Sequence, residues 1–422
     1  MELIPFLSAE QVRQIQNEFG TPVYVYDQET LEAQADRVLD FPNAYGLIAR
    51  YAMKACPSAA VLRVLTDRGL HIDASSGHEA VRAMKAGIPS DRIQITTQQA
   101  PDNLGELIDQ GCRFNACSLG QVAAIGKARP GTEIALRINP GLGSGHSNRT
   151  NVGGPAASFG IWHEYLQDAL DIAKSHNLTV RRMHTHIGSG SDPEVWERVA
   201  LMSLDLCSRI PGANSLSLGG GYKVGRLKGE VSTDLQKIGL HIVEAFRAHA
   251  EKHGQKLELE VEPGTFLVAN ACALVSTAID VVDTGSDGYR FIKVDTGMTE
   301  VLRPSLYGAQ HPIETVPVGD DDRSHQEYIV AGHCCESGDV LTPAPDDPEG
   351  LAPRILTETR VGDAVVIGGA GAYCSGMSAK NYNSFPEAAE VMLMRDGSLE
   401  LIRTRQTLEQ VLQNEVLPGS FQ

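Results

Sequence analysis

Residues 47–74 have the sequence LIARYAMKACPSAAVLRVLTDRGLHIDA. The run 47–53 is strand-like, residues 59–65 carry apolar side chains at helical spacing, and 70–74 is a second strand-like run. A strand, a helix and a strand in this order predict a βαβ unit with parallel strands. The same alternation continues to Glu262, so we predict eight strands, at 47–53, 70–74, 92–96, 113–117, 133–139, 181–187, 215–219 and 256–262.

Eight such units in series predict an α/β fold, most simply a (β/α)8 barrel. A doubly wound sheet is the alternative, because periodicity alone does not separate the two architectures. After Glu262 the pattern changes to strand-like runs without regular helices between them, at 273–282, 289–294, 328–331 and 364–367.

These later runs predict a mostly β C-terminal domain, which we expect to include the early strand-like run Pro22–Tyr26 as well. The sequence therefore predicts a barrel over residues 30–280 and a β-rich domain formed by 1–29 and 281–422. The segment 343–350 is rich in Pro and Asp and is expected to be a surface loop.

Composition excludes several classes of protein. The chain has 422 residues and a formal net charge of −17, which argues against nucleic acid or an anionic membrane as a partner. The N-terminus shows no secretory signal, and no apolar run approaches the roughly 20 residues needed to span a bilayer. The eight cysteines form no CxxC pair, so we expect reduced thiols, no metal site and a cytoplasmic protein.

Chemistry in such a barrel gathers at the carboxyl ends of the strands. Here those ends carry an amine, an imidazole, a glycine turn and a carboxylate among other polar groups: Lys54, Asp73, Arg137 with Asn139, His186, Gly219–Gly221 and Glu262. Each has an ordinary structural explanation when taken alone. Lys54 could simply be exposed just past its strand, the three glycines could form a tight turn, and Glu262 could cap a turn.

Their combination indicates a more specific chemistry. A lysine that lines a pocket can form a Schiff base, and bare backbone N–H groups at a glycine turn can bind phosphate. Ser189, three residues after His186, could contact a second side of that phosphate. A carboxylate at Glu262 could keep a pyridine nitrogen protonated, so the set matches the requirements of pyridoxal 5′-phosphate.

The chain resembles the alanine-racemase-like, fold-type III family of pyridoxal-phosphate decarboxylases. The resemblance extends from about Thr21 to Gln410 and rests on the order and spacing of short motifs. Within the family, the motifs are most similar to the branch that acts on diaminopimelate in lysine synthesis. They are Tyr51-Ala-Met-Lys54, His184-Thr-His186-Ile-Gly-Ser189, Gly219–Gly221, Glu262-Pro-Gly264, Asp295-Thr-Gly-Met298, Arg303-Pro-Ser-Leu-Tyr307, Cys335-Glu-Ser-Gly-Asp339, Gly371-Ala-Tyr373 and Asn381-Tyr-Asn383.

The resemblance implies roles for the matching positions. Lys54 would carry the cofactor as a Schiff base, His186 would stack on its ring, and Glu262 would bind its pyridine nitrogen. Asp73 and Arg137 would support the lysine and that carboxylate. The phosphate would contact Ser189, Gly219, Gly220, Gly221 and Tyr373. The family is typically a homodimer with shared active sites, in which Cys335 would come from the partner subunit as the acid that protonates the product.

The substrate end of the site would use a second set of residues. Diaminopimelate has a second carboxylate, which Arg303 could bind bidentately with help from Tyr307 and Tyr373, while Glu336 could hold the distal ammonium. Arg303 could also be a surface ion pair. Two positions depart from the family pattern, because Thr265 follows Glu-Pro-Gly and Phe385 precedes a proline where the family has arginines.

Several alternatives stay open. The departures at Thr265 and Phe385 suggest that the pocket is modified, so a decarboxylase acting on lysine, ornithine or arginine is the second hypothesis. A racemase shares the fold, and a non-catalytic relative that binds a partner protein would be expected to lack Lys54, Glu262 or Cys335. The glycine-rich stretch 140–158 could be a lid over the substrate or a plain connection.

Overall fold

The computed structural model describes residues 6–142, 153–186, 193–319 and 322–421. Its helices are α1 (Ala9–Phe19), α2 (Gln28–Leu39), α3 (Ala59–Asp67), α4 (Gly77–Lys85), α5 (Leu104–Asp109), α6 (Leu119–Ala128), α7 (Leu166–Ser175), α8 (Pro193–Cys207), α9 (Leu235–His253), α10 (Thr265–Val268), α11 (Arg303–Tyr307) and α12 (Leu408–Leu412). None of the described helices is both long enough and apolar enough to cross a membrane.

The strands are β1 (Val23–Asp27), β2 (Leu47–Ala52), β3 (His71–Ala74), β4 (Ile93–Ile95), β5 (Arg113–Ala116), β6 (Glu133–Asn139), β7 (Ile161–Trp162), β8 (Thr179–His184), β9 (Ser215–Ser217), β10 (Glu258–Val261), β11 (Cys272–Asp283), β12 (Arg290–Val294), β13 (Ile313–Val316), β14 (His325–Ala331), β15 (Pro343–Ala344), β16 (Asp347–Leu351), β17 (Arg354–Thr357), β18 (Ala364–Ile367), β19 (Ala389–Leu393) and β20 (Leu399–Arg403).

The chain divides into two compact units. The barrel unit comprises residues 31–224 and 231–267, and the β-rich unit comprises residues 1–30, 225–230 and 268–422. Position 280, the domain boundary expected from sequence, lies inside β11, which pairs with β1, β12 and β18 of the β-rich unit. The pattern of apolar residues along β11 does not reveal which sheet it joins.

The barrel unit contains a closed ring of eight parallel strands in the order β2, β3, β4, β5, β6, β8, β9 and β10. β10 pairs with β2, and the pairing of β5 with β6 completes the ring, so the predicted barrel is confirmed over the doubly wound alternative. Each strand lies within a few residues of its predicted position. Helices such as α3 follow the strands with apolar residues buried at positions 61, 62 and 65, which is the helical spacing seen in the sequence.

The β-rich unit is built around a sheet in the order β17, β14, β12, β11, β1, β19 and β20, with β18 joined to β11 and β13. β1 runs antiparallel to β11 and parallel to β19, which confirms that the N-terminal strand belongs to this sheet. The expectation of a plain loop at 343–350 is wrong, because β15 and β16 form a short antiparallel hairpin there. The same Pro- and Asp-rich composition suits the turn of a hairpin, with Asp346 at a φ of 59°.

Candidate active site

Glu262 is the most highly connected of the predicted strand-end residues in the barrel unit. Its buried carboxylate contacts His184, with Oε2 2.8 Å from Nε2, and Oε1 accepts hydrogen bonds of 3.0 Å from both Gln94 Nε2 and Ser217 Oγ. Burial opposes ionisation, but the contact with His184 and the charge of Arg50 hold the pKa of Glu262 well below its usual range. The side chain is therefore a fixed anion at neutral pH.

Asp73 lies at the same end of the barrel, but its pKa is shifted in the opposite direction to that of Glu262. Thr96 Oγ1 donates to Asp73 Oδ1 at 2.6 Å, and Gln94 Nε2 lies 3.5 Å from that oxygen. Burial and the neighbouring charge of Glu262 raise the pKa of Asp73, against the opposing effects of Thr96 and Lys54. Gln94 thus stands between two carboxyl groups of unequal pKa, an arrangement that marks functional sites.

Lys54 follows β2 in a single 3₁₀ turn, Met53–Ala55, and its side chain is exposed. Burial raises the pKa of Asp73 and Glu79, and the charge of Lys54 opposes that rise at both carboxyl groups. Burial lowers the pKa of His186, and the charges of Arg137 and Lys54 add to that effect. The amine is therefore both accessible and electrostatically coupled to the ring of strand-end side chains. This is the position that a Schiff-base lysine requires.

The glycine turn is shaped by what lies against it. Gly219 has a φ of 73°, and a Cβ there would come within 2.7 Å of His186 Nδ1. A Cβ on Gly220 would lie 2.2 Å from the carbonyl oxygen of Glu262, and Gly221 has a φ of 104°. Only glycine fits this close approach, so the turn is held against β10 with bare backbone at its surface.

His186 is half-buried, and Nδ1 has no hydrogen-bond partner among the described residues. Burial, followed by the charges of Arg137 and Lys54, holds the pKa of His186 well below its ordinary value. The ring is therefore neutral, as a stacking partner for a planar aromatic group should be. Ser189, the other predicted phosphate ligand on this loop, lies outside the described residues.

Arg137 and Asn139 end β6 on the same side. The guanidinium of Arg137 lies 5.0 Å above the ring of Phe159, a cation–π contact. Asn139 holds the far end of the glycine-rich stretch, because its Oδ1 accepts from Gly154 N and its Nδ2 donates to Gly154 O, both at 2.9 Å. Most of the stretch 140–158 itself, residues 143–152, lies outside the described residues.

Four residues contact Glu262 or Asp73 but were not predicted from sequence to belong to the site: Gln94, Thr96, His184 and Ser217. For two of them, the spacing along the sequence could have indicated a place in the site. His184 and Ser217 lie two residues before His186 and Gly219, and side chains two apart on a strand share a face. Gln94 and Thr96 offer no comparable signal, since an amide and a hydroxyl occur on many strands.

The predicted substrate residues lie in the β-rich unit. Arg303 begins α11, and its Nη1 donates to His311 Nε2 at 2.8 Å. Among the described residues, Arg303 does not form the surface ion pair that was the alternative expectation. Cys335 is the exposed member of the eight free cysteines, and its backbone N–H donates to Asn383 Oδ1 at 2.8 Å. Glu336 is also exposed, and Oε1 accepts from Gly338 N at 3.2 Å.

Tyr373 and Tyr307 are both half-buried in the same unit. Tyr373 has a φ of 57°, a left-handed conformation that a bulky residue adopts only when its surroundings impose it. The two departures from the family pattern also have defined settings. Phe385 stacks on His333 with ring centroids 3.7 Å apart, and Thr265 is the first residue of α10.

A barrel with an accessible lysine, a fixed buried carboxylate, a neutral imidazole and a bare glycine turn at one end has the fittings of an enzyme that binds a pyridoxal-type cofactor. A family model described as "Pyridoxal-dependent decarboxylase, pyridoxal binding domain" matches residues 32–269, more than half of the chain. The chain belongs to the family of pyridoxal-dependent decarboxylases. Its cofactor is pyridoxal 5′-phosphate.

Relatives match nearly end to end. A diaminopimelate decarboxylase of Escherichia coli K12 is 35% identical over 97% of both chains, and one of Streptomyces coelicolor is 35% identical over 95% of this chain and 91% of the relative. A crystal structure of a diaminopimelate decarboxylase has a TM-score of 0.90 at 34% identity, covering 97% of both chains. The Helicobacter pylori diaminopimelate decarboxylase complexed with L-lysine has a TM-score of 0.81 at 26% identity, over 95% of this chain and 98% of the other.

The residues of the barrel unit fit this cofactor. Glu262 offers a fixed negative charge to a pyridinium, His186 offers a neutral ring with an unpaired nitrogen, and Lys54 offers an accessible amine. The turn Gly219–Gly221 offers backbone without side chains to a phosphate. The charge of Glu262, the neutrality of His186 and the exposure of Lys54 therefore suit the parts of the cofactor that they would contact.

Proposed function

We propose that the protein decarboxylates meso-2,6-diaminopimelate to L-lysine and CO2, as a step of lysine biosynthesis. The observation that carries this proposal is the near full-length match, at 31–35% identity, to diaminopimelate decarboxylases of bacteria and an archaeon. Such coverage includes the β-rich unit as well as the barrel. It is therefore a likeness of the whole enzyme and not of the cofactor domain alone.

When bound, pyridoxal phosphate supplies an electron sink for the pair of electrons left when CO2 departs. Lys54 would hold the cofactor through its accessible side-chain amine. Glu262, fixed as an anion by His184, Gln94 and Ser217, would hold a proton at the pyridine nitrogen.

The remaining barrel residues orient these groups. His186 would stack its neutral ring on the cofactor. The phosphate would be bound by Gly219, Gly220, Gly221, Ser189 and Tyr373. Asp73 and Arg137 support Lys54 and Glu262. The raised pKa of Asp73 lets it carry a proton beside Glu262 while the latter stays ionised.

Cys335 delivers the proton that replaces CO2 on the substrate carbon. A thiol suits this task, because a cysteine side chain is one of the groups that act as general acids. We propose a cytoplasmic homodimer in which Cys335 of each protomer serves the active site of the other. The exposure of this thiol in the single chain supports that arrangement.

In this proposal, residues of the β-rich unit bind the far end of the substrate. Arg303, with Tyr307 and Tyr373, binds the second carboxylate, and Glu336 binds the distal ammonium. A competing substrate is favoured by one specific observation, since Thr265 and Phe385 are neutral where the family carries arginines. Lysine, ornithine and arginine lack the second carboxylate and are the competitors.

The experiment is CO2 release from meso-diaminopimelate, lysine, ornithine and arginine by the holoenzyme. We expect the highest kcat/KM for diaminopimelate. The matched control is Lys54→Ala, which should release no CO2 above background from any of the four. A higher kcat/KM for one of the other three amino acids would overturn the proposed substrate and leave the decarboxylase chemistry in place.

A further inference from the structure

Arg226 occupies an unusual place in the chain. It lies in the segment 225–230, which belongs to the β-rich unit although the residues on either side belong to the barrel unit. Its Nε donates to the carbonyl oxygen of Gly369 at 3.3 Å. Its terminal Nη2 is buried and has no hydrogen-bond partner among the described residues.

The backbone corner at Gly368 and Gly369 joins Arg226 to Arg303. His311 Nδ1 contacts Gly368 O at 2.8 Å, and Arg303 Nη1 lies 2.8 Å from His311 Nε2. Because a guanidinium can only donate, Nε2 must accept and Nδ1 must carry the proton that it donates to Gly368. Both arginines are thus held by neutral acceptors attached to the same corner.

Gly369 also keeps Arg226 in position. Its φ of 62° lies in the left-handed region, and a Cβ there would come within 2.9 Å of Arg226 Cδ. The stem of the arginine therefore packs where a side chain at position 369 would otherwise lie. The guanidinium is built into the corner and is not a loose surface group.

The described part of the chain offers this pair of cations no carboxylate in ion-pair contact, although the charge of Glu230 acts on Arg226 from a distance. No described carboxylate forms an ion pair with either guanidinium, and Glu230 is engaged by the backbone N–H groups of residues 226 and 227 at 2.7 and 3.1 Å. Burial raises the pKa of the nearby Cys374 thiol against the effect of both arginines, so that thiol is neutral.

The lowered pKa of Arg226 shows that its charge is unfavourable at this position. Burial, followed by the like charge of Arg303, lowers its pKa to about 9. Two partly buried like charges, one of them with an unpaired buried Nη2, are unfavourable until an anion binds near them. The site is suited to a carboxylate, which can accept from a fork of N–H groups on each side.

We propose that Arg226 is a specificity-determining residue that binds the second carboxylate of the substrate together with Arg303. Arg226 supplies a positive charge that Thr265 does not. This inference rests on the proposed function, and it names the substrate class as an amino acid that carries a carboxylate at each end.

The chemistry of the reaction provides a matched pair of probes. Decarboxylating one end of diaminopimelate leaves the other carboxylate in L-lysine, whereas cadaverine has the same five-carbon chain and two amines with no carboxylate. We would measure the dissociation constants of both by calorimetry on the holoenzyme. Losing a hydrogen bond to a charged group should weaken binding by about tenfold or more.

We expect Arg226→Gln to weaken L-lysine about tenfold or more and to change cadaverine by less than about twofold. Arg226→Lys, which keeps the charge and loses the fork, should fall between the wild type and Arg226→Gln. The control is Lys228→Gln, which removes one positive charge from an exposed side chain in the same segment and should change neither ligand.

Equal weakening of both ligands by Arg226→Gln and Arg226→Lys would assign Arg226 a structural role and overturn the inference. Unchanged L-lysine binding in either variant would overturn it as well. Failure of the proposed function has a different signature, because the wild-type holoenzyme would then release CO2 faster from another amino acid than from diaminopimelate. If Arg226→Gln does not fold, the comparison of Arg226→Lys with the wild type decides.

Discussion

Replacing Glu260 by glutamine should cost the barrel unit about 3 kcal/mol of its free energy of unfolding at neutral pH. Glu260 lies two residues before Glu262, inside the barrel, with 2% of its side chain exposed. Its Oε2 accepts from Arg50 Nε at 3.2 Å and lies 3.4 Å from Arg182 Nη1, and Ser215 Oγ donates to Oε1 at 3.0 Å.

The magnitude follows from the pKa of this carboxyl. Burial alone would raise it, but Arg50 and Arg182 overcome burial and lower the pKa of Glu260 from 4.5 to about 2. At about 1.4 kcal/mol per pH unit, this gap is worth about 3 kcal/mol. Because the folded pKa is the lower one, the stabilisation is complete above pH 4.5 and is lost as the pH falls towards 2.

The assay is equilibrium urea unfolding followed by the fluorescence of Trp196, which is buried in the barrel unit and stacks on Tyr222 at 4.8 Å. We expect Glu260→Gln to be less stable than the wild type by about 3 kcal/mol at pH 7 and by about half of that at pH 3. The reasoning fails if the difference at pH 7 is below about 0.5 kcal/mol, or if it does not shrink on acidification.

The matched control is Glu258→Gln, two residues earlier on the same strand. Burial and the charge of Glu260 raise the pKa of Glu258, and no described cation forms an ion pair with it. Its charge is therefore slightly unfavourable in the folded state. We expect Glu258→Gln to leave stability within about 0.5 kcal/mol of the wild type, or to raise it slightly.

Three further changes test the active site. Lys54→Ala should abolish both decarboxylation and the visible absorption of covalently bound cofactor, and near-normal turnover would contradict its role. Gly220→Ala, whose Cβ would lie 2.2 Å from the carbonyl oxygen of Glu262, should weaken cofactor binding measured by dialysis; Gly120→Ala, with no contact closer than 3.7 Å, should not. Cys335→Ala should lower kcat about 100-fold or more with cofactor absorbance unchanged, and an unaltered kcat would exclude it as the proton donor.

Much of the barrel could be predicted because its signals are local. An apolar run of four to seven residues followed by a helical pattern identifies a βα unit from its own residues alone. The polar strand ends at Lys54, Asp73 and Glu262 could be found in the same way, since a barrel brings the carboxyl ends of its strands to one face. The boundary after residue 267 could not be found from sequence, because β11 is as apolar as a barrel strand.

The charge states of Asp73 and Glu262 could not be predicted from the sequence. Gln94 stands 168 residues from Glu262 and 21 from Asp73, yet contacts both carboxyl groups. Whether a carboxyl group is ionised depends on such contacts and on burial. Neither can be deduced from the residues next to it in the sequence. The unequal pKa values of Asp73 and Glu262 follow only from their positions inside the barrel.

The sequence by itself determined the eight strand–helix units, the polar residues at their ends and the family to which they belong, because each of these depends on residue type and local spacing. Tertiary structure alone decided that β5 pairs with β6 to close the ring, and that β1 joins β11 and β19. It also decided that Arg226 and Arg303 meet at one backbone corner. Contacts between distant residues are selected by the packing of the whole chain, which no local pattern encodes.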